Sequence, residues 1–203
     1  MWLLQKQTFT ITIWVIKMAL ELETTVNIPR KVLFYGKDGT GKSTQAARYV
    51  KAKRLKAVLV DVDKTNFTDL PRAKVDFSNP TKAYTNMLQL ITDVIESDFD
   101  TLVIDGISSW IQFMTPKKDP FAQNRNSRFN EVMKELRNSN LNIILIGQVD
   151  LYIEDPGKEE KNNRMMVYLN GWVNEKYYCS KNGDAPNYQY MCVAEKKREV
   201  KCV

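Results

Sequence analysis

The chain of 203 residues contains no histidine. That absence excludes a histidine base, a histidine-dependent triad and every imidazole metal ligand, so any hydrolysis must be run by carboxylates, amides and positive charge. Cysteine is scarce: Cys179, Cys192 and Cys202 all lie late in the chain, with no C-x-x-C pair. An odd number without that spacing argues against a disulfide framework and against a zinc site. Long apolar runs are also missing. The stretch Met1 to Leu20 is interrupted by Lys6 and Lys17, too short and too broken for a transmembrane span. It fits a secretory signal poorly as well, because such signals place positive charge ahead of an uninterrupted apolar core. A cytoplasmic protein without a membrane partner is expected. There is no internal repeat and no low-complexity tract.

What remains is an ordinary globular mixture, 43% hydrophobic and 27% charged, of a length that suits one α/β domain. The net charge of +6 is compatible with nucleic acid and equally with a phosphate site. Near the start, "TFTITIW" alternates, with Phe9, Ile11 and Ile13 on one face and Thr8, Thr10 and Thr12 on the other. That reads as an edge strand or short β-extension. The same stretch could be a translated leader ahead of a start at Met18. Residues 1–29 are therefore set apart from a domain expected over residues 30–203.

The most informative segment is "KVLFYGKDGTGKSTQAARYV", Lys31 to Val50. Gly36, Gly41, Lys42 and Ser43 meet the pattern G-x-x-x-x-G-K-[ST], and Lys37, Asp38, Gly39 and Thr40 fill the loop between them. An apolar, β-prone run precedes it and a helical pattern follows, beginning with Ser43, Thr44 and Gln45. Glycines let backbone N–H groups curl around phosphate oxygens, and the helix N-terminus adds unpaired donors and a favourable dipole. Lys42 can reach the β and γ phosphates, and Ser43 can place its hydroxyl on Mg²⁺. A nucleoside triphosphate, taken as ATP with Mg²⁺, is the expected ligand.

Further along, "AVLVDV" reads as a second buried strand and "AKVDF" as a short one. "TKAYTNMLQLITDVIES" reads as a helix whose apolar face is Met87, Leu88, Leu90, Ile91 and Ile95. "FDTLVIDGISSW" gives a third strand, and "IQFMTPKKDPFAQNRNSR" a polar stretch with no clear element. "RFNEVMKELRNSN" is helical, "LNIILIGQVD" a fourth strand, and Tyr177 to Ser180 pair with Tyr188 to Ala194 in a hairpin. Buried strands alternating with helices mean an α/β fold with a mostly parallel central sheet. Ligands of such sheets sit beyond the strand C-termini, where Gly36, Asp63, Asp105 and Gln148 all fall. Asp105 closes its strand and can hold Mg²⁺ through its water shell, alongside Ser43. Asp63 or Asp61, one residue apart and so on one strand face, could orient the attacking water; Asp63 lies further toward the ligand edge. Gln148 can sense the γ-phosphate and pass the signal to the next loop.

The order "GKDGTGKST", "DVD", "LVIDGISS", "IILIGQ" and "AEKKR" resembles the RecA-like ATPases over roughly residues 30–198. Within them the small size looks most like the single-domain phage and archaeal proteins of single-strand annealing and recombination. The resemblance implies a three-layer P-loop NTPase fold with a C-terminal β-hairpin, and Mg-dependent ATP hydrolysis coupled to DNA, preferably single-stranded. It implies a homo-oligomer with active sites between subunits. Asp63 then matches the catalytic glutamate, one methylene shorter, Asp105 the Walker B acid, and Gln148 the glutamine that couples ATP to the DNA loop. Lys196, Lys197 and Arg198 match the basic residues that reach a neighbour's ATP.

The family places a DNA-binding loop at Asp150 to Arg164, which contains Lys158, Lys161 and Arg164 but also Glu154, Asp155, Glu159 and Glu160. Gln112 to Arg128 is more basic, with Lys117, Lys118, Arg125 and Arg128, and carries Phe113 and Phe121 for stacking. Other readings stay open: a DNA-packaging or translocating ATPase, a nucleotide-switched binding module, or a thymidylate-kinase-like phosphotransferase. The last rests on "DGTGKSTQAA" and on the length of 203 residues; no "DRY"-type segment or obvious arginine-rich lid follows, and "NRNSR" at Asn124 to Arg128 could serve only as a degenerate one.

Overall fold

A computed structural model describes residues 28–65, 69–114, 122–148, 169 and 171–197. The order is β1 (Lys31–Gly36), α1 (Lys42–Lys53), β2 (Ala57–Asp61), α2 (Pro80–Ile95), β3 (Thr101–Asp105), α3 (Ile107–Phe113), α4 (Ala122–Asn138), β4 (Asn142–Gln148), β5 (Glu175–Asn182) and β6 (Gln189–Lys197). The strands form one sheet in the order β2-β3-β4-β1-β5-β6. Pairings are parallel from β2 through β5, and only β6 runs antiparallel, as the return arm of the hairpin.

Each central strand buries both faces, because successive side chains point to opposite sides. Leu33, Val58, Val60, Leu102, Ile104, Ile143 and Leu145 pack beneath α2, α3 and α4 with Trp110, Phe129 and Leu136. Val32, Phe34, Leu59, Val103, Ile144 and Ile146 face the other way, against Ala46 and Val50 of α1. The result is the three-layer α/β arrangement of RecA-like P-loop NTPases.

Local chemistry sets the element ends. Asn79 caps α2 by accepting from the Lys82 N–H at 2.9 Å, with Pro80 in the first turn where its missing N–H costs nothing. Trp110 is fully buried, and its indole N–H donates to the Ala83 carbonyl at 2.8 Å, which ties α3 to α2.

Several sequence expectations are corrected. "AKVDF" is not a strand: Leu59 alone bridges Arg72, through the Pro71 carbonyl and the Ala73 N–H. Val75 and Phe77 alternate because they pack on the core, not because they pair. The third strand stops at Asp105, and "ISSWIQF" is α3, with Ile107, Trp110 and Ile111 inward at helical spacing. The stretch expected to lack structure therefore starts in α3 and ends in α4. In α2, Val94 turns inward while Ile95 is exposed. The outer strand β6 leaves Tyr190, Met191 and Val193 exposed. Residues 1–27, the whole Asp150 to Arg164 loop region, residues 115–121 with Lys117, Lys118 and Phe121, and Arg198 lie outside the described residues.

Candidate nucleotide site

The loop between β1 and α1 is shaped by its neighbours. A Cβ at Gly36 would collide with the Cys179 carbonyl oxygen of β5, a backbone atom that cannot step aside. Gly41 adopts φ 76°, the left-handed region that glycine enters without a Cβ penalty, and it starts α1 with no side-chain cap. The first turn of α1 carries no acidic residue. Its N–H donors are therefore suited to an anion. Thr40 is buried and its hydroxyl donates to the Lys37 carbonyl at 2.7 Å, which holds the loop closed. The Lys42 ammonium lies over the loop, donating to the Lys37 carbonyl at 2.8 Å and the Gly36 carbonyl at 3.2 Å.

Asp105 at the end of β3 is brought to the first turn of α1, where the Ser43 hydroxyl donates to it at 2.7 Å. Its carboxyl is pushed up to about 6, by burial first and then by the Asp63 and Asp61 carboxylates, against the opposing pull of Ser43 and Lys42. A divalent cation beside this pair would offset that repulsion. Among the described residues no cluster of three or more acidic or thiol side chains could hold a metal by itself. One hydroxyl and one carboxylate fit an ion such as Mg²⁺, which takes its remaining ligands from phosphate and water.

The two aspartates after β2 part company. The strand ends at Asp61, so Asp63 lies in the turn beyond it and they do not share a strand face. Asp61 accepts from the Thr65 N–H at 3.0 Å and faces the Arg72 guanidinium at 3.6 Å. Asp63 instead leans over Gly106, next to Asp105, where a Cβ would meet its carboxylate. Gln148 ends β4 opposite Gly36. Its backbone N–H donates to the Ser108 hydroxyl at 3.1 Å, and its side-chain amide to Asp38 of the loop at 3.0 Å. Because β4 lies between β1 and β3, Gln148 emerges between the phosphate loop and Asp105. Lys42, Ser43, Asp63, Asp105, Ser108 and Gln148 all line one cleft of about 170 Å³.

Not every candidate gathers here. Lys196 pairs with Lys176, well back along the sheet from the Cys179–Cys192 level where the loop sits, and its ammonium donates to the Val173 carbonyl at 2.8 Å. It is not brought to the phosphate loop of its own chain. The hairpin supplies Lys181 instead, whose ammonium lies beside Gly39 and 4.5 Å from the Tyr188 ring centroid. On the outer side of the loop a second cleft, of about 440 Å³, is lined by Gly39, Gly41, Thr44, Gln45, Arg48 and Tyr190. Sequence reasoning missed Ser108, Lys181, Arg48 and Tyr190. Ser108 had a signal in "DGISS", directly after the acid; the others become neighbours of the loop only through sheet pairing and the course of α1.

A phosphate-binding loop, a helix N-terminus, a lysine and a serine–aspartate pair at the C-terminal edge of a parallel sheet define a P-loop ATPase. The AAA domain family matches residues 28–177, and the chain belongs to that family. It is accordingly an ATP-binding and ATP-hydrolysing protein of RecA-like fold. The solved structures include a KaiC-like protein from the hyperthermophilic archaeon Pyrococcus horikoshii. It is similar over 84% of this chain and 80% of its own, with a TM-score of 0.56 and 19% identity. No curated protein matches the chain. Among the described residues no helix is long and apolar enough to cross a membrane.

Proposed function

We propose that ATP hydrolysis in this chain is coupled to binding of DNA, with single strands preferred. The observation that carries this reading is the double attachment of Gln148. Its side chain holds Asp38 of the phosphate loop, and in sequence it is followed almost at once by Asp150 to Arg164, where the RecA-like resemblance places the DNA-binding loop. A change at the γ-phosphate would disturb the Gln148–Asp38 bond, and the next residues would feel it.

In the reaction, the backbone donors of α1 and Lys42 bind the β and γ phosphates, and Asp63 orients the attacking water. Water adds to the γ-phosphorus as the bond to the bridging oxygen breaks, giving ADP and phosphate. Ser43 and, through water, Asp105 would hold Mg²⁺, which would supply charge neutralisation on the phosphate oxygens. The cleft between Arg48 and Tyr190 is suited to the base, since a guanidinium and an aromatic ring both offer flat stacking surfaces. Lys196 and Arg198 act on a neighbouring subunit's phosphates in a homo-oligomer, a role supported by the resemblance and by the position of Lys196 away from its own loop.

The test is phosphate release from Mg²⁺ and ATP, alone and with single-stranded DNA, double-stranded DNA or thymidine monophosphate, with Lys42→Ala as control. Stimulation by single strands that disappears in the control is the expected result. A preference for double strands points to a translocating ATPase. Transfer of phosphate to thymidine monophosphate overturns the reading in favour of a kinase.

A further inference from the structure

The β5–β6 hairpin carries two thiols that ATP hydrolysis does not use. Cys179 and Cys192 are directly opposed in the antiparallel ladder, with their sulfurs 3.4 Å apart. Opposed residues in such a ladder have Cα atoms about 4.5–5.5 Å apart, within the span of about 4.4–6.8 Å that a disulfide bridges. The bond therefore needs rotation about side-chain torsions and no movement of either strand. The scarcity of cysteine argues against a disulfide framework, but a single cross-strand pair is a different device.

The two thiols differ in setting. Cys179 is fully buried in the core beneath α1, and its contact with Cys192 together with burial pushes its thiol up. Cys192 is half-buried on the outer strand, and the hydrogen bond with Cys179 pushes its thiol down. The more accessible sulfur is thus the more readily ionised one, the combination that favours reaction with an oxidant.

We infer that Cys179 and Cys192 form a reversible intrachain disulfide when the protein meets hydrogen peroxide. The Cys192 thiolate attacks one peroxide oxygen. The O–O bond breaks, a sulfenic acid forms, and the departing hydroxide takes up the proton that the Cys192 thiol had released to solvent, leaving as water. The Cys179 sulfur then attacks that sulfur, the S–O bond breaks, and the departing hydroxide takes the Cys179 proton as a second water. Two thiols are oxidised by two electrons in all, and one peroxide is reduced to two waters. The bond lies next to the nucleotide site, because the Cys179 carbonyl abuts Gly36 and Tyr190, two residues before Cys192, rests beside Gly41. Oxidation fixes the hairpin register beneath the phosphate loop.

The experiment treats the full chain with hydrogen peroxide, blocks remaining thiols by alkylation and maps the peptides by mass spectrometry. The expected result is a cross-link between the Cys179 and Cys192 peptides, an intact mass lower by two hydrogens, and full reversal by dithiothreitol. Cys202→Ser leaves this unchanged. Cys179→Ser prevents the cross-link and leaves a Cys192 sulfenic acid that dimedone traps. If Cys179→Ser does not fold, Cys192→Ser at the half-exposed position serves, with Cys179 then untouched by peroxide. Folded wild-type protein that keeps both thiols alkylatable, or that joins Cys192 to Cys202 or to a second chain, overturns the inference.

Discussion

Asp105→Asn gives the sharpest separation of what the site does for catalysis from what it costs the fold. The Asp105 carboxyl stands at about 6, raised from 3.8. It is 5% exposed, so solvent screening does little to reduce the effect. Each tenfold change in proton affinity is worth 1.36 kcal/mol, so the ionised carboxylate destabilises the protein by roughly 3 kcal/mol. The sign follows from linkage: the folded state holds this proton more tightly than the unfolded chain. The penalty is therefore absent below about pH 4, grows as pH rises through the window from about 4 to 6, and is complete above it. Asparagine removes the charge while retaining an acceptor for the Ser43 hydroxyl. Urea unfolding without nucleotide or Mg²⁺ is expected to show the variant more stable by about 2–3 kcal/mol at pH 7.5, with the gain falling to a few tenths near pH 4. ATP turnover is expected to fall at least about 100-fold, because the proposed Mg²⁺ partner is lost. A stability difference that stays constant from pH 4 to 7.5, or a variant less stable at pH 7.5, refutes the reasoning.

Other substitutions test other parts of the site. Lys42→Ala is expected to lower kcat for ATP by about 100- to 1,000-fold in steady-state phosphate release, with circular dichroism unchanged, since the side chain bonds only loop carbonyls. Gly36→Ala is expected to destabilise by about 3 kcal/mol or more, read as a large loss of Tm, because the added methyl meets the fixed Cys179 carbonyl. Tyr190→Ala is expected to raise KM for ATP several-fold with kcat little changed, as removal of a stacking surface worth about 1 kcal/mol would do. Trp110→Phe is expected to lower stability by about 1–3 kcal/mol in urea titrations, because the Ala83 carbonyl loses its buried donor.

Much of this could be read from the residues. The loop from Gly36 to Ser43 is local in sequence and carries its chemistry in consecutive positions, so its glycines, lysine and serine were legible at once. The buried strands were legible because both faces need apolar residues, which makes runs such as "AVLV" and "NIILI" unmistakable. What depended on long-range packing was not. The short helix α3 looked like a continued strand because Ile107, Trp110 and Ile111 fill the core through seven residues only. Where Asp61 and Asp63 lie relative to one another turned on where β2 stops, with Asp61 at its end bound by Arg72 and the Thr65 N–H and Asp63 in the turn beyond. Tyr190 and Lys181 reach the loop only because β5 pairs with β1 and β6 folds back along β5.

The two edges of the sheet are unequal. At β2 the outward backbone groups of Leu59 are taken by Pro71 and Ala73. At β6, among the described residues, no segment runs along the outer side, and Tyr190, Met191 and Val193 stand exposed there. Any strand that lengthens this sheet would therefore dock on one flank alone, and two copies joined edge to edge there would close as a two-fold pair. An incoming strand would also run past Tyr190, the residue that flanks the proposed base cleft.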